Sequence, residues 1–220
     1  MNASKYSTVF IVTYGRSGST LLQGVLNSIP GYLVRGENNN LLGRLLAIHK
    51  GLTAYHRDGP TGPENAWYGS EFFTSDIIAP ALRSTLETVL FGDVPRDRVR
   101  TFGFKEIRYG LENIDAKLDF LRTLYPDSAV IFNTRNADDV ARSMEKNFGK
   151  SRNPDEIKGL TSKFSTIAEA DGNAYLIGYE DVVAVNDRLH GLFSFLGEPF
   201  DEEAVRGVLS RKHSYHRGHG

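Results

Sequence analysis

The run Val9-Phe-Ile-Val-Thr13, followed at once by Tyr14-Gly-Arg-Ser-Gly-Ser-Thr-Leu-Leu22, decides how the rest of the chain is read. Its first half is continuously apolar and rich in β-branched residues, which predicts a strand buried on both faces. Its second half is a Gly-rich turn, after which Leu21, Leu22, Val25, Leu26 and Ile29 recur at helical spacing until Pro30-Gly31 stops them. Strand, turn and helix N-terminus together make an anion site. The first helical turn carries N–H groups without partners, and the helix dipole adds partial positive charge there. Gly15 and Gly18 permit close backbone approach and positive φ angles. Ser17, Ser19 and Thr20 add hydroxyls, and Arg16 adds a planar, permanently charged donor fork.

Working outward, Thr101-Phe-Gly-Phe-Lys105, Ala129-Val-Ile-Phe132 and Ala174-Tyr-Leu-Ile177 predict three more buried strands. Helical stretches are expected near 111–124, 138–147 and 183–196. This alternation implies an α/β fold, a parallel sheet with helices on both faces in a three-layer α/β/α sandwich. Such sheets bind ligands beyond the carboxyl ends of their strands. Two polar stretches interrupt the pattern. Residues 51–69, around Trp67, read as a long loop, and residues 149–163, containing Pro154, read as a loop or a mobile helical segment. Both are expected to cover a substrate. Residues 210–220 form a basic tail.

With 220 residues, 40% hydrophobic and 24% charged, the chain suits one soluble domain spanning 1–220. A net charge of -1 argues against a general nucleic-acid binder while allowing a local basic pocket for one small anion. The absence of Cys removes disulfides and thiolate metal sites. No apolar run is long enough to span a bilayer, and the polar start lacks a secretory pattern, so a cytoplasmic location is expected. No His pair shows metal-ligand spacing on an expected helix, so no metal is expected; His213, His216 and His219 fall in the tail.

The turn is not a Walker A motif, because Ser19 occupies the slot where that motif needs Lys. Arg16-Ser-Gly-Ser-Thr-Leu21 resembles instead the loop of sulfotransferases that use 3′-phosphoadenosine 5′-phosphosulfate (PAPS), whose strand leads into Pro-Arg-Ser-Gly-Thr-Thr-Leu and then a helix. Gly15 stands where Pro is commoner. Two further matches follow in order. Asn133-Thr-Arg135, with Ser143 eight positions on, is similar to the family's strand-end Arg and helix Ser that bind the donor's 3′-phosphate. Tyr179-Glu-Asp resembles the strand-end Tyr near the adenine. The resemblance implies a P-loop-like fold and PAPS as co-substrate, with Gly15, Arg16, Ser17, Gly18, Ser19, Thr20, Arg135, Ser143 and Tyr179 binding it.

Sulfuryl transfer needs a base at the acceptor and cations at the leaving oxygen, and no metal where cationic side chains serve. Glu37, in Arg35-Gly-Glu37, stands where tyrosylprotein and some carbohydrate sulfotransferases carry a Glu after the loop helix, so the motifs are closest to that branch. Lys105 fills the position of a family Lys that polarises the leaving oxygen, and Arg16 can share that role. Glu106 is a competing base. Cytosolic small-molecule enzymes place His two residues after this Lys, where Ile107 stands here. Arg211-Lys212-His213 resembles the Arg-Lys-Gly with which cytosolic relatives help to hold the 3′-phosphate. The expected partners are the nucleotide donor and an acceptor hydroxyl on a sugar, lipid-linked glycan, phenol or other small molecule; the oligomeric state is not legible. A P-loop-type nucleotide kinase and a non-catalytic nucleotide-binding protein of this fold stay open as alternatives.

Overall fold

The computed structural model describes residues 4–59, 62–149 and 152–211. Its centre is β1 (Thr8–Val12), buried at every position as its unbroken apolar run requires. Flanking it are β3 (Thr101–Glu106) and β4 (Ala129–Thr134), with β2 (Tyr32–Arg35) and β5 (Ala174–Gly178) at the edges. The order is β2-β3-β1-β4-β5 and every pairing is parallel, Val9 lying opposite both Gly103 and Ala129.

Alternation along β1 builds two separate cores. Phe10 and Val12 face the helices α2 (Leu41–Thr53), α3 (Ser75–Phe91), α4 (Ile114–Leu124), α5 (Ala137–Phe148) and α6 (Pro154–Ala170). Val9 and Ile11 face α1 (Ser19–Asn27), α7 (Tyr179–Ala184), α8 (Asp187–Leu196) and α9 (Glu202–Leu209). The result is the expected three-layer sandwich. Gly103 is required where β3 meets β1, since a Cβ there would lie 1.6 Å from the Val9 carbonyl oxygen.

Several expectations change. The Tyr32–Arg35 segment forms β2, a short strand with alternating burial that the sequence reading did not assign. The stretch 183–196 is two helices. Val185, at φ 51, breaks it, and the Asn186 side chain accepts from the Arg188 amide to start α8. Of the stretch 149–163, everything from Pro154 onward is helix, capped by Asn153. That side chain accepts from the Asp155 amide, Pro154 opens α6, and Ile157 and Leu160 are fully buried. Residues 51–53 complete α2, so the loop after it is shorter than expected. Lys212, His213, His216 and His219 lie outside the described residues. Among the described residues, no helix is long and apolar enough to cross a membrane.

Candidate active site

The anion loop is shaped by what lies beneath it. Thr13 Oγ1, fully buried, sits 2.6 Å from the Asn133 carbonyl and 2.7 Å from Ser17 Oγ, tying the turn to the end of β4. Ser17 is itself fully buried. Its hydroxyl braces the loop from below through Thr13. Arg16 and Gly18 both adopt the left-handed region, at φ 68 and φ 79. Gly18 is the N-cap of α1 and no side chain caps the helix, so its first-turn amides are left for a ligand.

Those amides open on a cleft of about 1270 Å³ at the carboxyl end of the sheet, where Gly15, Arg16, Gly18, Ser19 and Thr20 form part of the wall. Lys105, Arg135, Ser143, Tyr179 and Glu37 line the same cleft. Of the described residues assigned to catalysis or donor binding from the sequence, Ser17 and the competing base Glu106 are absent from it. Arg16, Lys105, Arg135, Arg142, Lys146 and Arg211 face just two carboxylates, Glu37 and Asp139, and Arg142 is ion-paired to the latter. The excess of positive charge suits an anion carrying more than one charge.

At one end, Lys105 Nζ donates to Glu37 Oε1 at 2.7 Å. The Lys105 side chain is 5% exposed and that of Glu37 43%, so the carboxylate reaches the open cleft while the cation sits at its floor. Arg35, two residues earlier, fixes this end of β2 by donating to the Leu90 and Phe91 carbonyls, at 2.7 and 3.0 Å, where α3 terminates. Glu106 is engaged elsewhere. Almost fully buried, it accepts from the backbone N–H groups of Asn40, Ile107 and Arg108, at 2.8, 2.8 and 3.1 Å. A carboxylate so occupied helps to set backbone geometry, with three of its roughly four acceptor sites taken, and Glu106 does not line the cleft.

At the other end, Arg16 Nε donates to Ser143 Oγ at 2.9 Å, and Arg135 Nη1 donates to the Arg16 carbonyl at 3.3 Å. The Arg135 guanidinium lies 4.4 Å from the centroid of the Tyr179 ring. That ring in turn packs on Gly18, where a Cβ would come within 2.1 Å of Tyr179 Cδ2. Arg135 Nε is buried without a hydrogen-bond partner, an arrangement costly unless an anion completes it. Ser143 and Arg135 are thus bridged through Arg16 rather than bonded to each other. Tyr14, to which the sequence reading gave no role, is fully buried beside them, and burial pushes its phenol above the ordinary value against weaker opposing hydrogen bonds from Thr161 and Arg135. Its position directly before the loop was the only signal available for it.

None of the described residues of 51–69 or 149–163 lines the cleft, whose wall reaches Phe148 at the end of α5. Among the described residues, no group of three or more His, Asp or Glu side chains is arranged to hold a metal ion.

A parallel α/β sandwich with a Lys-free, Gly-rich anion loop and a basic cleft at its strand ends defines a P-loop-like group-transfer fold. The profile of the sulfotransferase family matches residues 8–202, and the chain belongs to that family of enzymes. Two solved structures share the fold. The sulfotransferase domain from the Synechococcus PCC 7002 olefin synthase superposes with a TM-score of 0.60 at 20% identity, over 96% of this chain and 80% of its own. The sulfotransferase domain from the curacin biosynthetic pathway gives 0.58 at 19% identity, over 90% and 76%. No curated protein sequence matches.

Proposed function

We propose that this chain moves a sulfuryl group from PAPS to an acceptor hydroxyl by in-line displacement. The observation that carries the reading is the Lys105–Glu37 pair, 2.7 Å apart on adjacent strand ends, in one cleft with the open N-terminus of α1. In this reading the 5′-phosphosulfate lies over the first turn of α1, among Arg16, Ser19 and Thr20 and the amides of the Gly15–Gly18 turn. Glu37 takes the proton of the acceptor hydroxyl as its oxygen bonds to sulfur. The bond from sulfur to the bridging phosphate oxygen breaks, and Lys105 with Arg16 stabilises the charge left there. Arg135 and Ser143 hold the 3′-phosphate, which supplies the partner that buried Arg135 Nε lacks. Tyr179 lies toward the purine.

The acceptor is a small-molecule or glycan hydroxyl, and the chain sits with the Glu-base branch of tyrosylprotein and carbohydrate enzymes. What supports this is Glu37 in the cleft together with apolar Ile107 where a His base would stand. Calorimetry with 3′-phosphoadenosine 5′-phosphate against ATP–magnesium tests the donor: tight ATP binding without bisphosphate binding would sink the reading. For the base, Glu37→Gln should lower kcat by about a hundred- to ten-thousandfold while leaving bisphosphate affinity unchanged. Undiminished transfer moves the base elsewhere.

A further inference from the structure

The strand β4 ends at Thr134, where its pairing with β5 also stops, and β1 has already ended at Val12. The next residue, Arg135, therefore has no strand beside it to bond its backbone. Tyr14 supplies the missing rung with a side chain. Its hydroxyl donates to the Arg135 carbonyl at 3.1 Å and accepts from the Arg135 amide at 3.0 Å. With Thr161 Oγ1 at 3.1 Å as a further partner, the phenol oxygen is fully used. The ring is held as firmly as the hydroxyl. Phe164 of α6 stacks on it at 6.0 Å and 13°, and Arg152, ion-paired to Glu156 at 2.8 Å, lies 5.9 Å from its centroid.

We infer that Tyr14 is a positioning residue for the Arg135 guanidinium, and that α6, through Thr161 and Phe164, sets how well the site discriminates for a 3′-phosphate. The geometry gives the reason. Arg135 occupies the hinge between β4 and α5, with Asn136 serving as the N-cap of that helix. Removing the Tyr14 hydroxyl frees both backbone groups of Arg135 at once, and the side chain they aim loses its fixed origin. The guanidinium has only Tyr179 and one 3.3 Å bond to the Arg16 carbonyl to hold it otherwise. The loop amides and Lys105 do not depend on this rung, so contacts at the 5′ end are spared.

This inference rests on the PAPS reading, and the test separates the two. Calorimetric affinities are measured for 3′-phosphoadenosine 5′-phosphate and for adenosine 5′-phosphate, and their ratio is the readout. Tyr14→Phe should lower that ratio by about tenfold or more, the loss expected for unpaired buried backbone groups, while adenosine 5′-phosphate binding holds. Thr161→Val, which keeps both bonds to Arg135 and removes the third partner, should lower the ratio by a smaller factor of about two to five. It decides the matter if the Phe variant fails to fold. An unchanged ratio, or an equal loss for both ligands, overturns the positioning role. A wild-type ratio near one overturns the PAPS reading instead.

Discussion

Substituting Gly18 by Ala is the sharpest test of how the anion loop is held. Two independent costs can be worked from its surroundings. Gly18 sits at φ 79 and ψ 12, so any L-residue there is strained by about 1–2 kcal/mol. The new methyl would also stand 2.1 Å from Tyr179 Cδ2 and 2.7 Å from Cε2, well inside the roughly 3.5–4 Å of a normal carbon contact. The ring must swing away, and with it goes the packing of Arg135 over its face, worth about 0.5–2 kcal/mol. The backbone cost should appear as a fall in melting temperature of about 2–8 °C for a domain of this size. The displaced ring should appear as weaker binding of 3′-phosphoadenosine 5′-phosphate, by about two- to thirtyfold. Thermal melting and calorimetry read the two separately. The decisive control is the same change in a Tyr179→Ala background, where the collision no longer exists. There Gly18→Ala should retain its stability cost and lose its further effect on binding. An equal binding loss in both backgrounds would refute the claim that Gly18 exists to admit the Tyr179 ring.

Lys105→Ala should reduce kcat by about a hundred- to a thousandfold, the cost of removing one transition-state donor, with a smaller change in the acceptor KM; steady-state kinetics with excess donor checks this, and a pure KM effect would remove Lys105 from the chemical step. Glu87, buried in α3, offers a pH test away from the cleft. Burial alone raises its pKa, but hydrogen bonds from Arg83 at 2.9 Å and Arg96 at 2.8 Å outweigh this and hold it below the ordinary 4.5. A depressed folded pKa gives stability that is present above the unfolded value and is lost as pH falls through the folded one. Glu87→Gln should therefore unfold at lower urea than the parent at pH 7, with the gap narrowing steadily below about pH 4.5; a gap that stays constant with pH would mean that the pair of Arg contacts does not set the titration.

Much of this architecture was legible because strands buried on both faces leave an unbroken apolar signature. Val9 to Val12, Thr101 to Phe104 and Ala129 to Phe132 each carried it, and their carboxyl ends located the cleft. β2 escaped because an edge strand of four residues, half of them partly exposed, looks like a loop leading to Glu37. The break between α7 and α8 escaped for another reason. Val185 adopts a left-handed conformation that β-branched residues seldom take, so propensity pointed the wrong way, although Asn186-Asp187 held a usable cap signal. In 149–163 composition left loop and helix both open, and the signal that decides is Asn153-Pro154 with Asp155 and Glu156 behind it, the start of a helix. At the cleft, residue types pointed to Arg16, Glu37, Lys105 and Arg135, which all line it. They could not reveal which polar groups are used up by the backbone. Glu37 and Glu106 look equally free in a sequence, whereas in the fold Glu37 lines the cleft and Glu106 is buried among three backbone amides.

The central place of β1 has a consequence for how the chain is made. Its register partners, Gly103 and Ala129, both lie far along the sequence, while everything synthesised in between belongs to other elements. At an ordinary rate of about 5–20 residues per second, β1 waits roughly 5 to 20 seconds on the ribosome for its first neighbour, and longer for its second. During that interval the most apolar strand of the protein has both edges open. The strand that leads into the anion loop is therefore exposed to wrong pairing while the chain is being born.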